Sequence, residues 1–448
     1  MKKIAIIGAG PTGLGAAYRL KELNHNNFTV YERNPFAGGL CASFEDDKGF
    51  TWDLGGHVIF SHYKYFDDIL DYCLSSDYVE HKRQAWIRTK GLWVPYPFQN
   101  NIKYLPKQML KECLDGLKRL TDEERSSGNF QEWIVSNLGD GIAKHFMIPY
   151  NNKVWAHSLA SMSTTWMDER VSRIDLKKII AQLDDSDTDS TNWGPNAVFR
   201  YPLHGGTGAI FKKITSDLSD KIEFNSQVTK IDPQNKTIHF NGEKKDSYDA
   251  IINTSPLDKL LGLIKGCNEK LIRASDDLKY SGVFVVGIGI KQPSPSNKCW
   301  IYFPDQDSPF FRVTYLSNYS PYNSPSDKTF YSLLCESSYS EHKNKNKSEI
   351  VEETICGLIN SGLIKEEDKK SIVSTFLFDI DYAYPTPTLK RDGILKTIQP
   401  ELEKLEIYSR GRFGAWKYEI ANTDHCVLQG KEAADRIIQR SKENTWTL

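Results

Sequence analysis

The chain lacks an excess of charge of either sign. Its 448 residues carry 58 acidic and 57 basic side chains, so the net charge is −1 at pH 7. A chain with this balance has no long-range field that would attract nucleic acid or an anionic membrane surface. We therefore expect no nucleic-acid partner.

Long apolar runs are missing as well. The sequence contains no run of about eighteen apolar residues, so we predict no transmembrane helix and no membrane insertion. The apolar residues after the basic start weakly resemble a signal peptide, but Gly8, Gly10 and Pro11 interrupt them. We therefore expect no cleaved leader.

Closely spaced cysteines are absent too. The eight cysteines form neither a close pair nor the spacing of metal ligands. This favours reduced thiols in a cytoplasmic protein and predicts no structural zinc or other bound metal. Aromatic residues, in contrast, are abundant (10 Trp, 22 Tyr and 21 Phe), which indicates pockets that stack flat ligands as well as a large core.

The N-terminus carries the most informative short motif. An apolar run at residues 3–7 precedes Gly8, Gly10 and Gly13, and a helical pattern follows. In a strand-turn-helix unit the first glycine permits the turn, the second lets backbone approach a pyrophosphate, and the third lets helix and strand pack closely. A second apolar run ends at Glu32, whose carboxylate suits an adenosine ribose. Together these features predict a Rossmann-like dinucleotide-binding unit.

A second glycine pair follows shortly after this unit. Gly38 and Gly39 precede Leu40 and a series of small residues. Such a pair is typical of the flavin-binding two-domain oxidoreductase fold, in which FAD runs along the domain. An ordinary glycine-rich turn before a hairpin explains the segment equally well.

The rest of the pattern predicts an α/β protein of several domains. Apolar residues three and four apart between residues 103 and 180 indicate a helical insertion, and residues 283–338 indicate an antiparallel sheet. The acidic residues 184–192 contain no apolar side chain and favour a mobile lid. We assign residues 1–75, 204–262 and 395–448 to a Rossmann-like FAD-binding domain, 103–200 to a helical domain, and 76–102 and 263–394 to an antiparallel β-sheet domain.

Four longer strings carry a specific resemblance. They lie at residues 55–68, 93–101, 192–196 and 410–414, and they are rich in aromatic residues that no fold requirement dictates. The likeness extends in collinear order over essentially the whole chain. The sequence resembles the UDP-galactopyranose mutase family, in the branch found in fungi and protozoa.

The resemblance implies a flavin enzyme. It implies FAD that is active when reduced, NADPH or NADH as the reductant, and a UDP-sugar as the substrate partner. The implied reaction interconverts UDP-galactopyranose and UDP-galactofuranose without net redox change, through a covalent adduct between flavin N5 and the sugar. It carries no prediction of oligomeric state.

The resemblance also implies the site residues. Arg170 and Arg312 match the arginines that bind the diphosphate, a task for which the guanidinium fork is suited. The implied catalytic residues are His57, Arg170, Arg312, Arg412 and Asn196. The implied substrate-binding residues are Tyr96, Phe98, Gln99, Phe146, Asn151, Trp155, Trp300, Tyr302, Tyr319, Tyr384 and Tyr418. The implied cofactor-binding residues are Gly8, Gly10, Pro11, Thr12, Gly13, Glu32, Arg33, Gly39, Leu40, Gly56, His57, Val228, Gly411, Asn422 and Thr423.

Two positions depart from the family pattern. Ala85 stands where a serine near flavin N5 is expected, and Ala421 begins an Ala-Asn-Thr-Asp string where the family has Gly-Asn-Gln-Asp. These departures bear on reduction of the cofactor more than on the fold.

Three other functions stay open. A mutase for UDP-arabinopyranose would need nearly the same pocket, since that sugar only lacks the hydroxymethyl group. A flavin amine oxidase or desaturase would share the fold and turn its flavin over with oxygen. A non-enzymatic relative, such as the guanine-nucleotide dissociation inhibitors of small GTPases, would bind a protein and no flavin.

Overall fold

The computed structural model of the chain describes residues 1–120, 127–167, 170–171, 179–180, 194–326 and 328–448. The predicted mobile loop at 184–192 lies outside these residues. The strands are β1 (Ile4–Ile7), β2 (Phe28–Tyr31), β3 (Ser43–Glu45), β4 (Thr51–Asp53), β5 (Tyr78–Lys82), β6 (Ala85–Thr89), β7 (Leu92–Pro95), β8 (Val198–Pro202), β9 (Ile222–Glu223), β10 (Val228–Asp232), β11 (Thr237–Phe240), β12 (Lys245–Ser247), β13 (Ala250–Asn253), β14 (Tyr280–Ile290), β15 (Trp300–Tyr302), β16 (Arg312–Tyr315), β17 (Tyr331–Tyr339), β18 (Ile372–Pro385) and β19 (Ile407–Ser409).

The α-helices alternate with these strands in the N- and C-terminal parts and cluster between β7 and β8. They are α1 (Pro11–Glu22), α2 (Lys64–Leu74), α3 (Lys107–Lys118), α4 (Phe130–Ile142), α5 (Ile148–Trp155), α6 (Gly208–Asp217), α7 (Leu257–Leu263), α8 (Glu269–Ser275), α9 (Ile350–Asn360), α10 (Arg391–Lys404), α11 (Gly411–Gly414) and α12 (Thr423–Gln439). Among the described residues, no helix has both the length and the hydropathy needed to cross a membrane.

A five-stranded parallel sheet forms the first layer. Its order is β19-β13-β1-β2-β9, and β1 is buried along its whole length because helices and loops cover both faces. Helices α1 and α12 cross in close contact, since a Cβ on Gly430 would lie 2.0 Å from the carbonyl oxygen of Thr12. The strands come from the segments that we propose as the FAD-binding domain.

A seven-stranded sheet forms the second unit. Its order is β18-β14-β17-β16-β15-β6-β7, and every pair is antiparallel except β15 with β6. One face packs against α9 through residues such as Ile301, Val313 and Cys335. The opposite face is covered by another core, which includes Trp52, Phe199 and Trp300.

Helices α3 to α5 form the predicted helical insertion. Their apolar faces share one core that includes Ile134, Leu138 and Trp155. A π-helical segment, Ala143–Met147, joins α4 to α5, and such segments are frequent at functional sites. The architecture confirms the predicted α/β multi-domain fold.

Candidate active site

The turn after β1 builds a cradle for a phosphate. Gly8 has φ +99°, and a Cβ on Gly13 would lie 1.9 Å from the Gly8 carbonyl oxygen, so the turn tolerates only glycine at these places. Gly10 caps α1 and faces Gly39, whose added Cβ would lie 3.1 Å from the Gly10 Cα. Bare backbone and the free N–H groups of a 12-residue helix therefore meet at one point.

Glu32 stands at the end of β2 beside this turn. It is 6% exposed, and its carboxylate accepts hydrogen bonds from the backbone N–H of Ala9 at 2.8 Å and from the backbone and side-chain nitrogens of Asn34 at 2.9 Å. These contacts fix the carboxylate at the place where a ribose hydroxyl would reach it.

The other predicted cofactor residues are distributed around the same turn. Gly411 has φ +86°, and its added Cβ would lie 2.4 Å from the hydroxyl of Thr12. Asn422 is the N-cap of α12, and the hydroxyl of Thr423 lies 3.5 Å from the sulfur of Cys41. Pro11 begins α1, Leu40 is partly buried, Val228 begins β10, and Arg33 is exposed. These residues fit a flavin dinucleotide that crosses the carboxyl ends of the parallel strands.

Strand alternation places a row of side chains on the face of the seven-stranded sheet that lies opposite α9. Trp300 is directly opposite Thr314, and Tyr302 is directly opposite Arg312. Because side chains two apart on a strand share a face, all four lie on one surface. Ala85, on β6, is opposite Trp300 in the same row.

Glu336 anchors this row, and it was missed in the sequence. It lies opposite Arg312, is 3% exposed, and accepts two guanidinium hydrogen bonds, one of them at 2.7 Å to Oε1. It also accepts the Gly56 backbone N–H at 3.2 Å. Burial alone would lower the pKa of Arg312, but Glu336 raises it well above its ordinary value. The only available signal was an acid inside the apolar run of β17.

The loop that carries His57 is held by this glutamate. Gly55 has φ +149°, and an added Cβ on Gly56 would lie 2.3 Å from the hydroxyl of Thr314, so the loop lies tightly on the sheet. Burial lowers the pKa of His57 to about 4, even though the nearby carboxylate of Glu336 works in the opposite direction. His57 is therefore neutral near pH 7.

Two further arginines approach the row from other elements. Arg170 donates to the backbone oxygen of Glu419 at 3.0 Å and to Oδ1 of Asn422 at 3.1 Å. Arg412 donates to the backbone oxygens of Ala383 at 2.7 Å and Ala421 at 3.1 Å. Among the described residues, only neutral acceptors bind these two guanidinium groups. Their positive charge is left for a ligand.

Aromatic rings line the space between the arginines. The Arg170 guanidinium lies 4.5 Å from the ring centre of Tyr418, and that of Arg412 lies 5.0 Å from the ring centre of Tyr384. Trp155 packs edge-on against Tyr418 at 4.9 Å. Burial raises the pKa of Tyr384, so its hydroxyl remains a hydrogen-bond donor at neutral pH. The hydroxyls of Tyr384 and Tyr418 have no hydrogen-bond partner among the described residues.

The predicted uridine residues lie beside this group. Phe98 and Phe146 stack at 4.9 Å, Phe146 stacks in turn on Tyr150 at 5.1 Å, and Tyr150 meets Tyr302 edge-on at 5.2 Å. Tyr150 was also missed in the sequence, where its spacing on α5 suited a core position equally well. Gln99 and Asn151 are buried polar residues, and the Asn151 amide donates to the Met147 backbone oxygen at 2.8 Å.

Four buried polar atoms near this row have no hydrogen-bond partner among the described residues. They are Nδ1 of His57, Nε1 of Trp300, the hydroxyl of Tyr319 and the hydroxyl of Thr314. Buried polar groups without partners are costly, and a polar ligand bound here would supply the partners that these four atoms lack. Sugar hydroxyls have the matching chemistry.

Asn196 connects to the site through Arg83. The Arg83 guanidinium donates to Oδ1 of Asn196 at 2.5 Å and lies 5.2 Å from the ring centre of Tyr96. The predicted mobile lid at residues 184–192 lies outside the described residues, so it stays a prediction. The fold and the site together define the class of flavin-binding two-domain enzymes.

Comparison with known proteins narrows this class. The sequence pattern of the flavin containing amine oxidoreductase family matches residues 11–438. A crystal structure of reduced UDP-galactopyranose mutase is 46% identical, with a TM-score of 0.96 over 99% of this chain and 96% of that chain. The chain belongs to the flavin-containing amine oxidoreductase family and, within it, to the UDP-galactopyranose mutases, as the four sequence strings predicted.

More distant relatives share the architecture. Coproporphyrinogen III oxidase of Staphylococcus aureus (strain NCTC 8325 / PS 47) is 20% identical over 98% of this chain and 99% of that protein. Putrescine oxidase bound to putrescine has a TM-score of 0.67 at 16% identity, over 98% of this chain and 99% of that chain. The latter likeness shows the fold alone.

Proposed function

We propose that this protein interconverts UDP-galactopyranose and UDP-galactofuranose without net redox change and does so only with reduced FAD. The observation that carries the proposal is the cationic, aromatic cleft beside the anchored Arg312, in which the partners of Arg170 and Arg412 among the described residues are all neutral. A diphosphate supplies the missing negative charge, and guanidinium forks bind its oxygens in pairs.

The chain's arginines would stabilise the diphosphate as it leaves the sugar. Arg312 is fixed by Glu336, and Arg170 is fixed by Glu419 and Asn422. Two cations in rigid positions cost little reorganisation when negative charge develops between them. The neutral hydroxyls of Tyr384 and Tyr418 would donate further hydrogen bonds to the phosphates.

The uridine would lie at the stacked rings on α5 and its preceding π segment. Phe146 and Tyr150 offer flat faces, and Gln99 and Asn151 offer polar atoms that can read the base edges. With the uridine there, the diphosphate would lie next to Tyr302 and Arg312, and the sugar next to Trp300 and His57.

The sugar would bind the buried polar atoms near the Trp300 row that have no partner among the described residues. Neutral His57 adds no charge there, and Trp300 and Tyr319 offer one hydrogen each. When bound and reduced, the flavin supplies the electron pair that the anomeric carbon needs as the diphosphate departs. Gly10, Gly39 and Glu32 would hold its pyrophosphate and ribose, and Asn422 and Thr423 would meet the end near the reacting atoms.

The test is an anaerobic assay of the purified flavoprotein with UDP-galactofuranose. HPLC should show UDP-galactopyranose after dithionite reduction and none with the oxidised enzyme in the absence of a reductant. Equal activity of the oxidised enzyme would contradict the proposal. In a separate aerobic assay with amine substrates, substrate-dependent oxygen consumption would identify an amine oxidase-like enzyme instead. Parallel reactions with UDP-arabinofuranose decide between galactose and arabinose.

We also propose NADPH or NADH as the reductant and the cytoplasm as the location. All eight cysteines are free, which supports a reducing compartment. Anaerobic addition of either nicotinamide should bleach the visible absorbance of the oxidised flavin. If neither does, a separate reductase is required.

A further inference from the structure

A histidine and aspartate cluster lies next to the flavin-binding segment but has no role in the proposed reaction. His62 follows the His57 loop, and Asp424 and His425 belong to the first turn of α12, directly after Asn422 and Thr423. The three ligand atoms of these side chains all lie within 4.8 Å of one another. Since His62 is hundreds of residues from the other two, sequence spacing gave no sign of the cluster.

The two imidazoles converge on one carboxylate. Nδ1 of His62 lies 2.7 Å from Oδ2 of Asp424, and Nδ1 of His425 lies 3.1 Å from Oδ1. The backbone N–H of His62 also donates to Asp424 at 3.1 Å, which fixes the loop against α12. The two imidazole nitrogens therefore lie against the two oxygens of one carboxylate.

The charge balance at this point favours a cation. The Asp424 side chain is 1% exposed, and within the described part of the chain its only partners are His62 and His425. A buried carboxylate is costly unless a positive charge compensates it. A divalent metal ion would supply positive charge together with ligand bonds to the imidazole nitrogens and the carboxylate.

Neighbouring rings hold the histidines in place. Phe60 meets His62 edge-on at 5.4 Å, and Tyr63 meets His425 edge-on at 5.4 Å. The His62 side chain is 25% exposed, so an ion can reach the cluster from solvent. Zinc bonds to nitrogen and oxygen are about 2.0–2.2 Å long, which sets ligand atoms about 3.3–3.5 Å apart in a tetrahedral site. The two imidazole–carboxylate separations, 2.7 Å to Oδ2 and 3.1 Å to Oδ1, are shorter than this, so these groups would move apart by up to about 0.8 Å to admit an ion.

We propose that His62, Asp424 and His425 form a binding site for a divalent transition metal of the zinc type. Two imidazoles and one carboxylate suit this class of ion better than magnesium or calcium, which prefer oxygen ligands. With a water as the fourth ligand, the ion would replace the shared protons of the hydrogen bonds. It would tie the segment after His57 to the N-terminus of α12. The site is independent of the proposed mutase reaction.

Calorimetric titration of the FAD-loaded protein with ZnCl2, after removal of metals by a chelator, tests the proposal. We expect one zinc per chain. His62→Ala, His425→Ala and the isosteric Asp424→Asn should each weaken binding by at least about tenfold. His204→Ala is the matched control, because His204 is an exposed histidine paired with one carboxylate, Asp77, at 2.8 Å. It should bind zinc as the wild type does.

The flavin content and the melting temperature, both measured without zinc, show whether each variant is folded. His62→Ala provides the decisive comparison, because it changes an accessible side chain. Anomalous diffraction at the zinc edge should show one peak between the three side chains. Wild-type protein that binds no zinc, or a His62→Ala variant with unchanged affinity, would overturn the proposal. So would an anomalous peak located only elsewhere.

Discussion

Arg170 and Arg312 should respond differently to removal, although we assign both to the same diphosphate. Arg312 is paired with Glu336, a carboxylate that is 3% exposed, whereas Arg170 is held by a backbone oxygen, an amide oxygen and the face of Tyr418. Arg312→Ala therefore leaves a buried charge without a partner. Arg170→Ala leaves only neutral groups.

The magnitudes follow from this difference. Truncating one member of a buried ion pair costs about 3–5 kcal/mol of folding stability, so Arg312→Ala should lose an amount in that range. Arg170→Ala should lose less, about 1.5–3 kcal/mol, since it removes hydrogen bonds made by a charged group but no ion pair among the described residues. Both variants should lose about 2–5 kcal/mol of transition-state stabilisation, which is a fall of about 30- to 5,000-fold in kcat/KM.

Urea denaturation and the anaerobic mutase assay measure the two quantities separately. Arg200→Ala is the matched control, because the side chain of this arginine is paired with the exposed Asp71 at 3.0 Å and stacks on Tyr78 at 4.7 Å, neither of which belongs to the proposed site. It should change either quantity by no more than about 0.5 kcal/mol. Arg170→Lys should recover only part of the activity, because a point charge cannot reproduce the fork. Wild-type kcat/KM in Arg170→Ala would refute the reasoning.

Three other perturbations test separate parts of the site. Gly10→Ala should fold normally, because the added Cβ has only the Gly39 Cα nearby, at 3.8 Å. It should purify with little flavin, because that Cβ would occupy the phosphate cradle. A wild-type flavin-to-protein ratio would contradict this prediction. Burial lowers the pKa of His57 to about 4, so as the pH falls below about 6.5 the imidazole gains a proton in the unfolded chain before it does in the folded protein. The wild type should therefore lose unfolding free energy between about pH 7 and about pH 5. His57→Asn should make this loss smaller in urea titrations. Tyr384→Phe should weaken UDP binding to the reduced enzyme about 10- to 150-fold by calorimetry, the value of one hydrogen bond to a charged group; unchanged affinity would remove its hydroxyl from the phosphate site.

The sequence predicted the parts of the fold that depend on local pattern. The strand at residues 28–31, the glycine turn and Glu32 could be read directly, because strand, turn and helix each have a short-range signature. The start of α12 could not be read in this way, because its first turn, from Thr423, contains the polar residues around Asp424. Polar residues at a helix start look like a loop in sequence.

The site was predictable only as far as its motif strings reached. Arg312 was found through its resemblance to the family, but Glu336 was not, because its role depends on the register that sets β16 opposite β17. Tyr150 and Thr314 were not predicted for the same reason. A ring on an amphipathic helix and a hydroxyl on a strand are ordinary core features, and their role depends on tertiary neighbours. Pairing across long sequence separation has no local signal.

The most direct measurement of the central claim is the number of turnovers obtained per reducing equivalent. The flavoprotein is reduced anaerobically with one equivalent of dithionite per flavin, the reagent is removed, and UDP-galactofuranose is added in large excess. A redox-neutral mutase will convert many substrate molecules for each electron pair supplied and will keep its flavin reduced. At most one product per flavin, with the flavin oxidised at the end, would show that the substrate is reduced and would contradict the account.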